Sequence, residues 1–423
     1  MRQRILALFF FGVFVLMPVS SDAARSAAPK SSQEALYDEV ELLAEAITII
    51  QSDYVNEVEP KKLMYGALKG LVESLDRHSQ FLDPSAYSEM QVETKGEFGG
   101  IGLEISISKE GYLTVVMPID DTPAYGANLK PKDKIVKIDS QSTRGVSLHE
   151  AVKRLRGRPG SKVTLTILRD LENRLFDVTL SRAIIKIRSV KDARMVADRV
   201  GYVRLTEFQD NTPRDFRKAL EGLEQQGMDG FILDLRNNPG GLLDVAVEIS
   251  EIFIPKGGLI LSTRGRVKSQ NLEFVSKSEK GRERDYPVVV LVNGGSASAS
   301  EIVAGALRDH RLAILMGTKT FGKGSVQTVI PLKDGSAIRL TTSLYYTPSG
   351  RSIHGEGLDP DVIVEEESKE TPEEKGPEQT PEEAGQKPVS DPVILRAIDL
   401  LKGLKVYEGT EVQGASSAPA AKP

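Results

Sequence analysis

The sequence of 423 residues contains no cysteine. Disulfide bonds are therefore excluded, and so is attachment to a membrane through a lipidated cysteine. A chain without thiols suits an oxidising compartment outside the cytoplasm. Together with the leader described next, this predicts a location in the bacterial periplasm or cell envelope.

The start of the chain also lacks an apolar run of membrane-spanning length. The run from Ile5 to Val19 has about fifteen residues, whereas a spanning helix needs roughly twenty. Two arginines precede it, and the small-x-small pattern Ser21-Asp22-Ala23 follows it. This arrangement predicts a signal peptide at residues 1–23. An uncleaved membrane anchor stays open as an alternative.

A basic patch is missing too, which argues against a nucleic-acid partner. The net charge is −5, from 55 Lys and Arg against 60 Asp and Glu. Residues 365–388 hold nine Glu and three Lys, a local charge of −6, so the remainder carries about +1. We interpret residues 365–390 as a solvated acidic linker.

Histidine is scarce, with four residues, and the most informative stretch contains none. The β-branched run Val288 to Val292 predicts a buried strand, and Ile302 to Leu307 has the composition of a helix. Between them lies a turn of small residues, Asn293-Gly294-Gly295-Ser296-Ala297-Ser298-Ala299-Ser300-Glu301. A strand-to-helix turn lifts a hydroxyl clear of the backbone and directs helix N–H groups towards it.

A lysine between two glycines, Lys323, follows twenty-five residues after Ser298. Serine is a weak nucleophile until a base takes its proton, and lysine serves as that base only when burial lowers its pKa. Two other interpretations stay open: a turn that merely packs a helix, and a phosphate-binding loop, because Gly317, Gly322 and Lys323 match that motif. Against the latter, Gly324 replaces the required Ser or Thr and a strand is predicted next.

Three separate blocks resemble the carboxyl-terminal processing (tail-specific) proteases. They are Asp234 to Gly241 (DLRNNPGG), Gly295 to Glu301 (GSASASE) and Gly317 to Gln327 (GTKTFGKGSVQ). The resemblance covers residues 35 to 364. It implies a multidomain α/β fold whose catalytic domain, residues 182–364, resembles the crotonase and caseinolytic-protease folds.

The resemblance also assigns roles to individual residues. Ser298 would be the nucleophile, Lys323 the general base, and Gln327 would hold the lysine by a hydrogen bond. Backbone N–H groups would bind the oxyanion, namely that of Ala299 and that of Gly240 or Gly241. No metal and no cofactor is implied. The predicted activity is that of a secreted serine endopeptidase.

Residues 97–181 resemble a PDZ domain inserted before the catalytic domain. The stretch Gly99-Gly100-Ile101-Gly102-Leu103 would receive a peptide's C-terminal carboxylate on backbone N–H groups. The peptide would add as a strand beside Leu103-Glu104-Ile105. We expect protein substrates with apolar C-terminal tails, and an activating adaptor stays open.

Arg169 resembles an arginine that, in related proteases, lies on the last PDZ strand and contacts the catalytic domain. This predicts that peptide binding to the PDZ domain switches the protease on. The alternative is a surface salt bridge worth about 0–1 kcal/mol. The preceding segment Asp76 to Pro84 also resembles the family, although Arg77 stands where proline is usual, and we expect a structural role for His78.

Amphipathic helices are predicted at both ends of the chain. Residues 35–96 form a helical segment, in which a seam of apolar residues runs along a first helix: Leu36, Val40, Leu43, Ile47, Ile50 and Tyr54. A second helix follows on Met64, Leu68, Leu71 and Leu75. A C-terminal helix is predicted at 391–404, with a disordered tail at 405–423. Uncovered apolar stripes favour a homodimer or larger assembly, with a helical lid on the same chain as the alternative.

Two rival functions remain at this stage. One is a hydrolase with a Ser-His-Asp arrangement that uses His310 or His354. The other is a PDZ scaffold protein with an inactive protease domain. Comparing Lys323→Ala with His310→Ala would distinguish a Ser-Lys mechanism from the Ser-His-Asp mechanism. A protease assay would distinguish an active enzyme from the scaffold protein.

Overall fold

The structure, a computed structural model, describes residues 32–108, 110–279, 284–365 and 390–415. The predicted signal peptide at residues 1–23 lies outside the described residues. Residues 366–389 of the predicted linker and residues 416–423 of the predicted tail also lie outside them.

The helices are α1 (Ser32–Asp53), α2 (Pro60–Glu73), α3 (Pro84–Lys95), α4 (Pro123–Gly126), α5 (Leu148–Leu155), α6 (Thr212–Gln225), α7 (Leu243–Ser250), α8 (Ala299–Asp309) and α9 (Pro392–Ala415). The strands before the main sheet are β1 (Gln80–Leu82), β2 (Glu97–Gly100), β3 (Leu103–Ile107), β4 (Leu113–Pro118), β5 (Lys134–Ile138), β6 (Gln141–Ser142), β7 (Lys162–Arg169), β8 (Arg174–Ser181) and β9 (Ala183–Lys186). The later strands are β10 (Val190–Ala197), β11 (Val200–Leu205), β12 (Gly230–Asp234), β13 (Leu259–Gly265), β14 (Glu273–Val275), β15 (Val288–Val292), β16 (Ile314–Gly317), β17 (Ser325–Pro331), β18 (Ala337–Tyr346) and β19 (Val362–Ile363).

The chain divides into one compact unit up to Leu68 and a second from Lys69 onwards. In the first unit, α1 confirms the predicted N-terminal helix, although it ends before Tyr54. Apolar residues of the predicted seam are exposed along it, including Leu36 at 62% and Val40 at 54%.

The second unit is built around a six-stranded sheet in the order β10-β11-β12-β15-β16-β19. All neighbours in it are parallel except β10, which pairs antiparallel with β11. Every residue of β12 and β15 is buried, because both faces of the sheet are covered, as is usual for parallel sheets. Helices α6, α7 and α8 pack on one face. The predicted alternation of strands and helices is confirmed.

Helix α9 covers the opposite face of this sheet. Its buried side chains, Val393, Ile394, Ala397, Ile398 and Leu401, pack on residues of β11, β12, β15 and β16. The expectation of an uncovered stripe on the C-terminal helix is therefore wrong. The helix also continues to Ala415, so the predicted disorder is wrong for residues 405–415. Deleting this helix would expose the buried face of the sheet. The deletion is therefore not a clean test of whether the helix contributes to oligomerisation.

A second sheet has β18 at its centre. β1 and β13 pair with β18, β14 pairs with β13, and β17 also pairs with β18. β1 precedes the inserted domain in sequence, yet Phe81 pairs with Ile338. The main domain is therefore completed by a strand contributed from before the insertion.

The predicted PDZ region forms a separate sheet in the order β3-β4-β5-β7-β8, with β6 on β5. It has its own hydrophobic core around Ile135, Leu165 and Ile167. A two-stranded ribbon of β2 and β9 joins its two ends. The multidomain α/β class, with an inserted β-domain and a helical N-terminal segment, is confirmed.

Across the described ranges, no helix combines the length and the apolar character required to cross a bilayer.

The exposed seam of α1 leads to a prediction about assembly. We expect static light scattering at micromolar concentration to give a mass of at least a dimer. Replacing both Leu43 and Ile50 by glutamate should lower the mass, because charges would enter a desolvated interface. Thr48→Glu, off the seam on the same helix, is the matched control. A monomeric mass for the unmodified protein would contradict the prediction.

Candidate active site

The three sequence blocks follow three neighbouring strands of the parallel sheet. The first block begins at the end of β12, the second after β15, and the third at the end of β16. β15 lies between the other two strands. The carboxyl ends of parallel strands meet at one edge of a sheet, where α/β proteins commonly bind ligands. The fold therefore brings all three blocks to a common edge.

The first two blocks are tied together by polar contacts. Asn237 and Asn293 exchange hydrogen bonds, from the Asn237 N–H to Asn293 Oδ1 at 2.9 Å and from Asn293 Nδ2 to Asn237 Oδ1 at 3.1 Å. The carbonyl of Asn238 accepts from the Ala297 N–H at 3.0 Å and from Ser300 Oγ at 2.9 Å. These contacts fix the turn that carries Ser298 against the loop that follows β12.

Ser298 occupies the predicted strand-to-helix turn, immediately before α8. Its backbone has φ of 54° and ψ of −114°, a conformation that costs a residue with a side chain on the order of 1–3 kcal/mol. The side chain is half-buried. A strained residue at the start of a buried helix is held there by its surroundings, and such positions are concentrated at functional sites.

Glu301, in the first turn of α8, is the main contact between the serine turn and the lysine loop. Its carboxylate is fully buried, at 0% exposure. One oxygen, Oε2, accepts the N–H groups of Ser298 and Lys323, both at 2.9 Å. The other accepts the Gly322 N–H at 2.8 Å and Thr320 Oγ1 at 2.6 Å. Burial raises the pKa of Glu301, and these four donors oppose that rise.

Lys323 is thus anchored through its backbone N–H. This contact does not involve the amine of its side chain. Burial, and after it the positive charge of Arg339, lowers the pKa of Lys323. Among the described residues, no carboxylate lies within ion-pair distance of Lys323 Nζ. Both conditions favour the neutral amine, the form that can accept a proton.

Comparison with known proteins gives the family. The model for peptidase family S41 matches residues 199–364, that for the PDZ domain matches residues 99–180, and that for the activating protease CtpB N-terminal domain matches residues 9–86. The carboxy-terminal-processing protease of Bartonella bacilliformis is 41% identical over 363 residues, which is 85% of this chain and 82% of the relative. The carboxyl-terminal-processing protease of Synechocystis is 39% identical over 324 residues, with 75% of each chain covered.

The chain belongs to the carboxy-terminal processing protease family. It is a serine peptidase with a PDZ domain. Among solved structures, it is similar to the photosystem II D1 C-terminal processing protease, with 29% identity, a TM-score of 0.45 and coverage of 77% of this chain and 93% of that one.

Gln327 does not contact the lysine of this processing protease in the present structure. Its amide nitrogen donates to Ser325 Oγ at 2.8 Å and to Thr341 Oγ1 at 3.4 Å. Thr341 in turn donates to Asp76 at 3.2 Å. No local pattern predicts this chain of contacts, because Asp76 and Thr341 are 265 residues apart.

The turn that begins at Asp76 accounts for the segment before the PDZ domain. Asp76 accepts the N–H groups of His78 at 2.7 Å and Ser79 at 2.9 Å, and the Ser79 hydroxyl at 2.7 Å. Burial would raise the pKa of Asp76, but these hydrogen bonds and that from Thr341 lower it to about 2. Burial, then the charges of Lys323 and Arg77, lowers the pKa of His78. Arg77 also lies over the ring of Phe321, 5.9 Å from its centre, so the turn lies beside the lysine loop.

The two predicted glycine donors for the oxyanion differ. The N–H of Gly240 donates to Asn238 Oδ1 at 2.9 Å, so it is not available to an oxyanion in this structure. No such contact involves the N–H groups of Gly241 and Ala299 within the described ranges. Gly240 has φ of 105°, and a Cβ there would lie 2.8 Å from Ser298 Cβ. It therefore permits the close approach of the two loops.

The structure divides the predicted carboxylate-binding stretch of the PDZ domain. Gly99 and Gly100 lie in β2, paired with β9, and Ile101 and Gly102 form the turn into β3. Gly102 has φ of 77°, and a Cβ there would lie 2.3 Å from Thr122, so a glycine is required. β3 starts at Leu103 and is an edge strand of its sheet.

Arg169 is placed differently from the prediction. It ends β7, and β8 follows, so it is not on the last PDZ strand. It is buried and binds Asp133 through Nε and Nη2, both at 2.8 Å, and the Asn128 carbonyl at 3.0 Å. These partners belong to the PDZ domain itself. The ion pair with Asp133 is buried, and a second, longer ion pair of 3.5 Å joins Arg169 to the partly exposed Glu172.

The pKa of Lys323 leads to a prediction about pH. If Lys323 is the general base, only its neutral amine can accept a proton, so activity should rise as pH rises through the lysine pKa. Arg339→Gln removes a positive charge that disfavours the ammonium form, so the pKa should rise. We expect the acid limb of the kcat/KM profile for casein hydrolysis to move to higher pH.

Lys333→Gln, which removes an exposed positive charge between β17 and β18, is the control and should leave that profile in place. An unchanged acid limb in Arg339→Gln would contradict the assignment of Arg339 as an electrostatic partner of the lysine.

Proposed function

We propose that this chain is an exported endopeptidase that cleaves proteins with a Ser298–Lys323 pair after binding their C-terminal tails on its PDZ domain. The observation that carries the proposal is the shared contact of both backbones with Glu301 Oε2, each at 2.9 Å. Through this contact, a strained serine and a desolvated lysine lie together at the same edge of the sheet.

The proposed reaction needs no other titrating group. Ser298 Oγ attacks the carbonyl carbon of the scissile bond while neutral Lys323 accepts the hydroxyl proton. The N–H groups of Ala299 and Gly241 bind the oxyanion. Collapse of the intermediate breaks the C–N bond as Lys323 returns the proton to the amine. A water molecule, deprotonated by the same lysine, then hydrolyses the acyl-enzyme.

Histidine-based alternatives have less support. His310 follows the last residue of α8, whereas Ser298 precedes the first, and the helix has 11 residues. At 1.5 Å per residue the two are separated by roughly 18 Å along the helix axis. The Nε2 atom of His310 contacts the Leu259 carbonyl at 2.6 Å. His354 is exposed and serves as a control below.

Gln327 is proposed to reach Lys323 only after it leaves Ser325 and Thr341.

Export and partners are part of the same proposal. The leader at residues 1–23 supports export to the periplasm or envelope, and a mature N-terminus after Ala23 in mass spectrometry would test it. The match to the activating protease N-terminal domain supports an activating adaptor that acts on the N-terminal segment.

The catalytic pair gives the first test. Ser298→Ala and Lys323→Ala should each lower casein cleavage by roughly 10²–10⁴-fold without changing the melting temperature. Lys323→Arg should also fail, because arginine does not release its proton. His354→Ala should remain active. Cleavage retained by Lys323→Ala would exclude the Ser-Lys pair.

Tail recognition on the PDZ domain gives the second test. A ten-residue peptide with apolar C-terminal residues should bind when its carboxylate is free, and an amidated copy should bind at least about tenfold more weakly, because the N–H groups of the turn before β3 lose an anionic partner. Equal binding of the two peptides would contradict carboxylate recognition.

The regulatory role proposed for Arg169 requires a paired variant. Arg169→Ala alone leaves Asp133 buried without its partner, which costs about 3–5 kcal/mol. Arg169→Ala with Asp133→Ala removes both charges. If Arg169 transmits peptide binding, the double variant should bind the peptide but show no increase in casein turnover with it. Normal stimulation would reduce Arg169 to a structural role.

A further inference from the structure

Tyr345, on β18, contacts both members of the proposed catalytic pair through their backbones. Its side chain is 2% exposed. Its hydroxyl donates a shared hydrogen bond to the Ser298 carbonyl, at 3.1 Å, and to the Lys323 carbonyl. Its backbone N–H donates to the Gly324 carbonyl at 2.9 Å. One residue thus holds the serine turn and the lysine loop together.

The contact is complementary to that of Glu301. Glu301 accepts the N–H groups of Ser298 and Lys323, and Tyr345 donates to the carbonyls of the same two residues. The Ser298 carbonyl also accepts two N–H groups at the start of α8, at 2.9 and 3.0 Å. Within the described part of the chain, no other donor reaches the Lys323 carbonyl. Loss of the Tyr345 hydroxyl would therefore affect the position of the Lys323 carbonyl more than that of the Ser298 carbonyl.

The position of Tyr345 on its strand supports this role. The pairing of β18 with β17 shifts by one residue between Thr341 and Ser343, so Tyr345 lies on the opposite face of β18 from Arg339 and Thr341. The charge of Arg339 acts on Lys323, and Thr341 contacts Gln327. Both faces of this single strand thus contribute residues to the surroundings of the lysine.

The hydroxyl stays a donor under working conditions. Burial, and then the negative charge of Glu301, raises the pKa of Tyr345 well above its ordinary value. A phenol that keeps its proton can donate to a carbonyl throughout the pH range in which Lys323 titrates.

We propose that Tyr345 is a positioning residue, whose hydroxyl sets the distance and orientation between the Ser298 hydroxyl and the Lys323 amine by holding both peptide carbonyls. The proposal rests on the Ser-Lys pair. It predicts a loss in the chemical step, because a displacement of the order of 1 Å between reacting groups can cost about 10²-fold in rate. Substrate binding should be unaffected.

The test compares Tyr345→Phe with Tyr346→Phe in the full chain. Phenylalanine keeps the buried ring and removes only the hydroxyl. Tyr346 is the next residue, on the opposite face of β18, where Arg264 lies over its ring. We expect Tyr345→Phe to lower kcat for casein by about tenfold to a hundredfold, with KM within about twofold. Tyr346→Phe should match the unmodified protein.

A fluorophosphonate probe, which reacts with the serine alone, separates positioning from misfolding. Tyr345→Phe should label more slowly, by a similar factor, yet reach the same final stoichiometry. A normal kcat would overturn the proposal. So would a stoichiometry that falls in proportion to activity, since the loss would then come from unfolded protein.

A double-mutant cycle with Lys323→Ala distinguishes this proposal from the Ser-Lys pair. If Tyr345 acts through the lysine, Tyr345→Phe should cause no further loss of labelling rate in the Lys323→Ala background. Additive losses would refute the positioning role. A normal rate in Lys323→Ala alone would refute the catalytic pair instead, whatever the result for Tyr345→Phe.

Discussion

The buried carboxylate of Glu301 is the interaction on which the rest of the site depends. A charge without solvent is costly unless its lone pairs are occupied, and here four donors from two stretches of chain occupy them. Thr320, one of these donors, also accepts the Leu358 N–H at 2.7 Å. The serine turn, the lysine loop and the segment before β19 are thus interdependent.

The contacts of the same carboxylate also affect the protonation state of the Lys323 side chain. A negative charge beside a lysine ordinarily stabilises the ammonium form, which is useless as a base. In this structure the charge of Glu301 is met by backbone N–H groups, including that of the lysine itself. The lysine side chain is left to burial and to the repulsion of Arg339. Backbone anchoring and side-chain neutrality are therefore compatible.

Local patterns in the sequence predicted much of the fold and the neighbourhood of the site. Strand β15 and the turn at Ser298 follow from a β-branched run and a cluster of small residues. The contacts of Tyr345 and Asp76 could not be predicted, because they join residues far apart in sequence and involve ordinary residue types. The partner of helix α9 could not be predicted for a related reason: an amphipathic pattern shows that one face is buried but not what buries it. Gln327 was assigned by resemblance, and its contacts here depend on Thr341.

The pairing of β1 with β18 has a consequence for the order in which the protein is made. Ser79 and Thr341, which join the ends of these strands, are separated by 262 residues. At a synthesis rate of about 5–20 residues per second, the partner emerges roughly 10–50 s after the first strand. The PDZ domain, with its own core, emerges completely within that interval. The peptidase sheet is therefore closed only near the end of translation, and a nascent chain would carry a folded PDZ domain well before a complete peptidase domain.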